Sequence, residues 1–267
     1  MSVVIKNIQQ ITILGSGKAA WTFGSALAES GLQITGVWSR NQEEAQKLAT
    51  SLQSQFLDSM HDISNTDLII CMVSDDAIAE LSSQLFTVIT NRETPIVHIS
   101  GSKPITDLSP FEHAGVLYPL QTMTKGKTID WKETPICYYS NHPELNEALE
   151  HLAVRISNKT YPLNDQQRAL LHLSAVMCNN FTNLWLSEAY AICSTNEINF
   201  DLLKPLIQLT TEKALQNDPR NIQTGPALRD DQSVLNLHRS LIHNDQALIE
   251  LYDLTSRRIQ KKAAPKK

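Results

Sequence analysis

The sequence predicts a doubly wound, mostly parallel α/β sheet followed by an all-helical C-terminal domain, and three observations carry that prediction. A β-type apolar run, Ile11 to Leu14, breaks into Gly15-Ser16-Gly17-Lys18-Ala19-Ala20 and then into apolar residues at helical spacing. Further short apolar runs alternate with helix-compatible segments as far as about residue 162, the pattern of repeated βα units. Beyond Tyr161-Pro162-Leu163-Asn164-Asp165 only long helical patterns and polar breaks follow. The implied organisation is a Rossmann-like dinucleotide-binding domain over 1–162 and a helical domain over 163–267.

The elements follow in order. Trp21 to Ala28 is apolar at helical spacing until Gly31 stops it, so strand, glycine turn and helix succeed one another. Gln33 to Trp38 reads as a second strand. Asn41 to Leu52 reads as a helix, with Asn41 as its cap and Glu43 and Glu44 in its first turn. Asp67 to Val73 is continuously apolar after its first residue, the signature of a strand buried on both faces, and Asp75-Asp76 then opens a helix. Pro95 to Ile99, Gly115 to Tyr118 and Thr134 to Tyr139 continue the sheet, and Pro143 to Ile156 supplies another helix. In the second half a long helix runs from about Asp165 through Ala191, with Leu171, Ala175, Cys178, Thr182, Leu186 and Ala189 along one face. Helices from Phe200 to Leu215 and from Ser233 to the tail follow, separated by a loop with a Thr224-Gly225-Pro226 turn.

Composition narrows the function classes. The 267 residues are enough for one large domain or two ordinary ones, and the formal net charge is −5 with scattered basic residues, so no broad basic face is offered to nucleic acid. The Lys/Arg-rich end from Arg257 to Lys267 reads as a solvated tail, and Lys125 and Lys127 as solvated loop residues. No apolar run approaches the roughly 20 residues of a membrane helix, and the start lacks the pattern of a signal peptide. A cytoplasmic protein without a membrane partner is the expectation. Cys71, Cys137, Cys178 and Cys193 stand singly in apolar segments, which predicts buried reduced thiols, no disulfide and no metal site.

Each small residue of the glycine turn answers a separate demand. Gly15 serves a tight strand-to-helix turn, Gly17 lets backbone approach a pyrophosphate, and Ala20 lets helix pack closely on strand. Ser16, Lys18 and Ala19 complete the phosphate loop, where unpaired N–H groups and the positive end of the helix dipole meet the anion. An NAD site would place an acidic residue near the end of the second strand; here Ser39 and Arg40 stand there and can bind a 2′-phosphate, which favours NADP. Val73, Ser74 and Asp75, and then Ser100, Gly101 and Ser102, follow two strands at their C-terminal ends, the edge where doubly wound sheets bind ligands. Asp75 and Asp76 also read as helix caps, the Ser-Gly-Ser segment as a capped turn, and His98 as a structural residue inside a strand. Tyr118 and Gln121, around Pro119, border the same edge, where with Ser102 they are the candidate substrate contacts, or pack beneath it. Trp185 and Tyr190 read as core or dimer-contact residues.

The segments Val97-His98-Ile99-Ser100-Gly101-Ser102 and Gly115 to Thr122 resemble a known family: Rossmann-like proteins with a C-terminal helical domain of unknown function. These are related to pyrroline-5-carboxylate reductase and to the 6-phosphogluconate dehydrogenase and ketopantoate reductase group, and are commonly assigned as NADP oxidoreductases. The resemblance extends to Ser39-Arg40, His172 with Asn179-Asn180, Thr224-Gly225-Pro226, Arg229 and Asp231, and so covers essentially the whole chain. It implies an NADP-binding N-terminal domain, an active site in the cleft to the helical domain, and a homodimer through that domain. Better-known relatives carry a Lys and an Asn on the long helix. No Lys occurs from Arg168 to Asn183; His172 is the available replacement, with Asn179 or Asn180 two helical turns on.

An imidazole titrates near neutrality and can give a proton to a reducing carbonyl or imine, with an Asn amide to orient it. The reading is an NADP(H)-dependent oxidoreductase: a hydride moves to or from a small carbonyl, hydroxy acid or imine, and His172 handles the proton. Two alternatives keep the nucleotide site and drop the chemistry: an NADP(H)-binding sensor or interaction protein, favoured by the missing lysine, and a binder of another nucleotide.

Overall fold

The computed structural model describes residues 7–124, 126 and 128–263. Lys125, Lys127 and residues 264–267 of the basic tail lie outside the described residues. The chain divides into two compact units, Met1–Leu184 and Trp185–Lys267.

The first unit is built on one eight-stranded sheet: β1 (Gln10–Leu14), β2 (Gln33–Trp38), β3 (Gln55–Phe56), β4 (Leu68–Cys71), β5 (Ile96–His98), β6 (Ala114–Pro119), β7 (Ile136–Ser140) and β8 (Thr160–Pro162). Their spatial order is β3-β2-β1-β4-β5-β6-β7-β8, and every pairing is parallel except β6 with β7. Strand order reverses between β1 and β4, which opens a crevice at their C-terminal ends. The antiparallel step has a simple cause: the described residues between β6 and β7 form no crossover helix, and a parallel neighbour requires a crossover connection.

Both faces of the sheet are covered, which is why the central strands read as continuous apolar runs. Ile11, Ile13, Leu68 and Ile70 join α1 (Lys18–Glu29), α2 (Gln42–Ser51) and α4 (Pro143–Ile156) in one apolar layer. Leu14, Ile69 and Cys71 join α3 (Ile78–Val88) and the 3₁₀ turn Ile105–Leu108 in the other. At about 25 cal/mol per Å² of apolar surface, these layers are the main stabilising contribution to the unit. Asn41 caps α2, accepting the Glu44 N–H at 3.1 Å.

Four sequence expectations are corrected. The short strands β3 and β8 lie at the two edges of the sheet, with only two and three residues, and produce no recognisable period. The helical stretch expected from Ser233 to the tail, given without an internal break, is divided into α8 (Gln232–Leu241) and α9 (Gln246–Ala263), because Asp245 accepts the Leu248 N–H and starts a new helix. Cys178 is exposed, whereas Cys71, Cys137 and Cys193 are buried; all four are free. Tyr190 is 58% exposed, so of the two readings given for it, core or dimer contact, the core one falls.

The long helix is present as α5 (Asp165–Val176), a π-helical turn over Met177–Phe181, and α6 (Thr182–Thr195). The second unit contains the rest of α6, α7 (Lys204–Gln216), α8 and α9. Its large apolar side chains face outward in number: Leu202 is 72% exposed and Leu241 71%, with Leu206, Leu237 and Leu254 also exposed. Among the described residues no helix is long and apolar enough to cross a membrane.

Candidate active site

The crevice beside β1 and β4 is shaped by the glycine turn. Gly15 has φ +126°, its N–H donates to the Trp38 carbonyl at 2.8 Å, and a Cβ there would overlap the Met72 carbonyl at the end of β4. Only glycine accepts both the conformation and the contact. Gly17 is the N-cap of α1; no side chain caps that end and its first turn holds no acid, so the helix presents bare N–H groups. A Cβ on Gly17 would meet nothing within 4 Å, so the turn borders open space there.

That space is a cavity of about 360 Å³ lined by Gly15, Ser16, Gly17, Lys18 and Ala19, by Trp38, Ser39 and Arg40, by Met72, Val73 and Ser74, and by one face of α3. Ser16 Oγ donates to Ser39 Oγ at 3.0 Å, tying the phosphate loop to the end of β2, and Ser39 Oγ accepts the Asn41 N–H at 3.3 Å. Arg40 is exposed on the rim. Uncapped N–H groups, a lysine, three hydroxyls and an arginine around one cavity fit a dinucleotide carrying an extra phosphate. Ala20, in the first turn of α1, is fully buried and does not line the cavity, in keeping with its packing role.

A second group of side chains gathers after β5 and β6. Ser100 Oγ accepts the N–H groups of Ser102 and Lys103, each at 3.1 Å, and folds the Ser100-Gly101-Ser102 turn. Ser102 Oγ donates to Asp75 Oδ2 at 2.5 Å. Asp75 is therefore engaged across to the next loop; the cap at the start of its 3₁₀ turn is Ser74, and no side chain makes a capping bond there. Asp76 pairs with Lys103 at 3.4 Å. The Tyr118 hydroxyl lies 3.1 Å from His172 Nδ1, and a Cβ on Gly101 would stand 2.6 Å from that nitrogen and 2.7 Å from Tyr118 Cζ. The turn thus packs directly against the Tyr118–His172 pair.

Asn179, inside the π turn, donates through Nδ2 to Thr122 Oγ1 at 3.0 Å, so the long helix meets β6 at His172 and the segment just beyond β6 at Asn179. Asn180 is exposed and makes no side-chain hydrogen bond among the described residues. Gln121 folds its side-chain oxygen back onto the Thr122 N–H at 2.8 Å. Neither meets the Tyr118–His172 pair through a hydrogen bond.

Two residues support this group from beneath: His98, which the sequence reading took as structural, and Arg168, which it missed. His98 is fully buried; its Nδ1 accepts the Ser100 N–H at 3.1 Å, and burial, with the Arg168 guanidinium as second cause, pushes it down to about 4. It is thus a neutral acceptor that holds the Ser-Gly-Ser turn. Burial pushes the Tyr118 phenol up to about 12, so it keeps its proton. Arg168, one helical turn before His172, is 1% exposed; its Nη2 donates to the Lys103 carbonyl and to Asp165 Oδ1, while Asp165 Oδ2 accepts the Ile105 N–H at 3.0 Å. An arginine at that spacing looks like any solvated residue of an amphipathic helix, so periodicity alone gave no sign of it.

The cradle and the Ser100-Gly101-Ser102 turn that packs on His172 thus follow the C-terminal ends of strands of one sheet. Residues 10–100 match the family described as NADP oxidoreductase, coenzyme F420-dependent, and residues 134–259 match a domain of unknown function, DUF2520. The chain is 32% identical to BF3122 of Bacteroides fragilis, whose crystal structure is named a "putative NADP oxidoreductase"; the match covers 96% of this chain and 99% of that one, with a TM-score of 0.85. The chain belongs to this NADP oxidoreductase family. An imine reductase from Myxococcus stipitatus in complex with NADP+ is 18% identical, covering 94% of this chain and 93% of that one, with a TM-score of 0.68. A reductive aminase from Aspergillus terreus in complex with NADPH and ethyl levulinate is 16% identical, covering 96% and 95%, with a TM-score of 0.69. These two share the fold. No curated protein matches the chain.

Proposed function

We propose that this family member is an NADP(H)-dependent oxidoreductase that moves a hydride to a small carbonyl or imine, or from a small hydroxy acid, with His172 exchanging the proton. NADP is the cofactor of the family, and when bound it supplies or accepts the hydride. In this reading Gly15 to Ala19 bind the pyrophosphate and Ser39 with Arg40 the 2′-phosphate. Ser74, which lines the cavity, is followed by Asp75, and the Ser102–Asp75 bond carries the layout on to Gly101 and the Tyr118–His172 pair. That continuity is the observation that carries the proposal. It supports a reacting group held beside Ser100, Gly101 and Ser102, with Asn179 orienting it from the long helix. The two fold neighbours, one an imine reductase and one a reductive aminase, support the imine end of the substrate range.

We further propose a homodimer through the second unit: side chains such as Leu202, Leu206 and Leu241 form exposed apolar surface of the kind that a second copy would cover. The four free thiols support a reducing compartment such as the cytoplasm.

The test is NADPH oxidation over a panel of keto acids, ketones and imines, with His172→Ala beside the parent. Turnover that falls by about 10²-fold or more in the variant, the scale of lost acid–base catalysis, is expected. Full activity in the variant removes His172 from the mechanism. Tight NADPH binding without turnover on any probe would instead favour the sensor reading, which rests on the absence of lysine from 168–183.

A further inference from the structure

Resting on the reductase reading, the Tyr118 hydroxyl has a different task from the substrate contact expected for it. It is buried, and a buried hydroxyl must place its proton on an acceptor. Among the described residues its side-chain partner is His172 Nδ1, at 3.1 Å. The rings meet edge to face, at 70° with centroids 6.0 Å apart, and Gly101 leaves room for the contact and no more. His172 itself is only partly buried, so the imidazole lies on the open side and the phenol behind it.

We propose that Tyr118 is the positioning residue for His172: its hydroxyl engages Nδ1 and so assigns Nε2 as the nitrogen that exchanges a proton with the ligand. A hydroxyl both donates and accepts, so it serves both states of the ring. Toward the neutral imidazole it donates to Nδ1, and the ring's proton stays on Nε2. Toward the imidazolium it accepts from Nδ1–H, leaving Nε2–H to be given up. In the reducing direction the Nε2 proton goes to the product oxygen or nitrogen, the N–H electron pair remains on Nε2, and solvent returns the proton afterwards. Throughout, Tyr118 stays a phenol, because burial holds it at about 12. The other charged or titratable groups nearby are Arg168 and Asp165 on the same helix, Asp75 and Lys103 on the adjoining loops, Cys137 opposite Tyr118 on β7, and His98 beneath the turn. None of these has a hydrogen bond to His172 among the described residues, so the ring's fixed partner is Tyr118.

The experiment reads the ring directly, by ¹⁵N chemical shifts of the two His172 nitrogens in the full-length protein without ligand, above the imidazole's titration. The parent is expected to show one tautomer, protonated on Nε2, with Nδ1 shifted as a hydrogen-bonded acceptor. Tyr118→Phe keeps the ring and removes the hydroxyl; both nitrogens should move toward the averaged values of exchanging tautomers. Gly101→Ala keeps the hydroxyl and wedges the pair apart; since Gly101 has no left-handed φ, its effect is steric, and the same loss of tautomer preference is expected. Unchanged His172 shifts in a folded Tyr118→Phe protein would overturn the proposal. With ethyl levulinate as the carbonyl probe, Tyr118→Phe should lower kcat on the order of tenfold, the factor equivalent to about 1.4 kcal/mol, with the NADPH Kd unchanged. A change confined to KM would mean that Tyr118 binds the substrate, and would also overturn it. The nitrogen shifts need no turnover, so failure of the reductase reading and failure of the tautomer assignment are separate results.

Discussion

The sharpest consequence of the packing concerns the buried ion pair under the site. Arg168 is 1% exposed, and its Nε and Nη1 have no hydrogen-bond partner among the described residues. Its carboxylate partner is Asp165, 2.8 Å away, whose side chain keeps 32% of its surface in solvent. Asp165→Asn leaves a buried guanidinium without a counter-charge. Such losses cost about 3–5 kcal/mol, and the partial exposure of Asp165 argues for the lower end, about 3 kcal/mol. At about 2–4 °C per kcal/mol for a chain of this size, the melting temperature should fall by roughly 6–12 °C. Arg168→Met removes the charge and both unpaired donors while filling similar volume, so it should lie within about 1 kcal/mol of the parent. The double variant should then track Arg168→Met instead of adding the two effects. Calorimetry on the four proteins checks this. If Arg168→Met melts as low as Asp165→Asn, the arginine is a net stabiliser and the reasoning from its unpaired N–H groups is wrong.

Other consequences follow from the same geometry. His98 is neutral in the folded protein down to about pH 4, while an unfolded histidine takes up its proton below about 6.5. Between those values the unfolded state binds more protons, so stability is full above 6.5 and falls as pH drops toward 4, by about 3 kcal/mol at most. Denaturant titrations at a series of pH values should show that slope in the parent and lose it in His98→Gln; an equal slope in both would assign it to other groups. Gly15→Ala forces a side chain into a left-handed backbone position and against the Met72 carbonyl. It should destabilise by at least about 1–3 kcal/mol and weaken NADPH binding together. An Ala variant of parental stability that still binds NADPH normally would show that the turn adapts more easily than its contacts imply.

Much of the cofactor half was legible because its requirements are local. Gly15, Gly17 and Asn41 each answer a backbone demand that can be read from a few neighbouring residues, and the buried runs of β1 and β4 announce a sheet covered on both faces. The His172 group was legible only in part. His172 and Asn179 could be named from helical spacing, but their partners, Tyr118 and Thr122, lie more than fifty positions away, and the π turn that carries Asn179 has no sequence period of its own. Asp75 was ambiguous because a cap and a cross-loop acceptor have the same local sequence. His98 was legible as a structural strand residue, though not its bond to Ser100; Arg168 could not be read at all, since its burial comes from tertiary packing of α5 against the loop after β5 and not from any pattern along the chain. Cys178 stood on an apparently apolar face that this chain leaves open.

The central claim is that the crevice after β1 and β2 takes NADP(H) and distinguishes it from NAD(H) at Ser39 and Arg40. Calorimetric titration of NADPH and NADH into the parent and Arg40→Ala tests it most directly. One charge-assisted contact is worth about 1.5–3 kcal/mol, so NADPH should bind the parent roughly tenfold to a hundredfold more tightly than NADH. Arg40→Ala should bring the two close together by weakening NADPH alone. Equal affinities in the parent, or a preference that survives the substitution, would contradict the account.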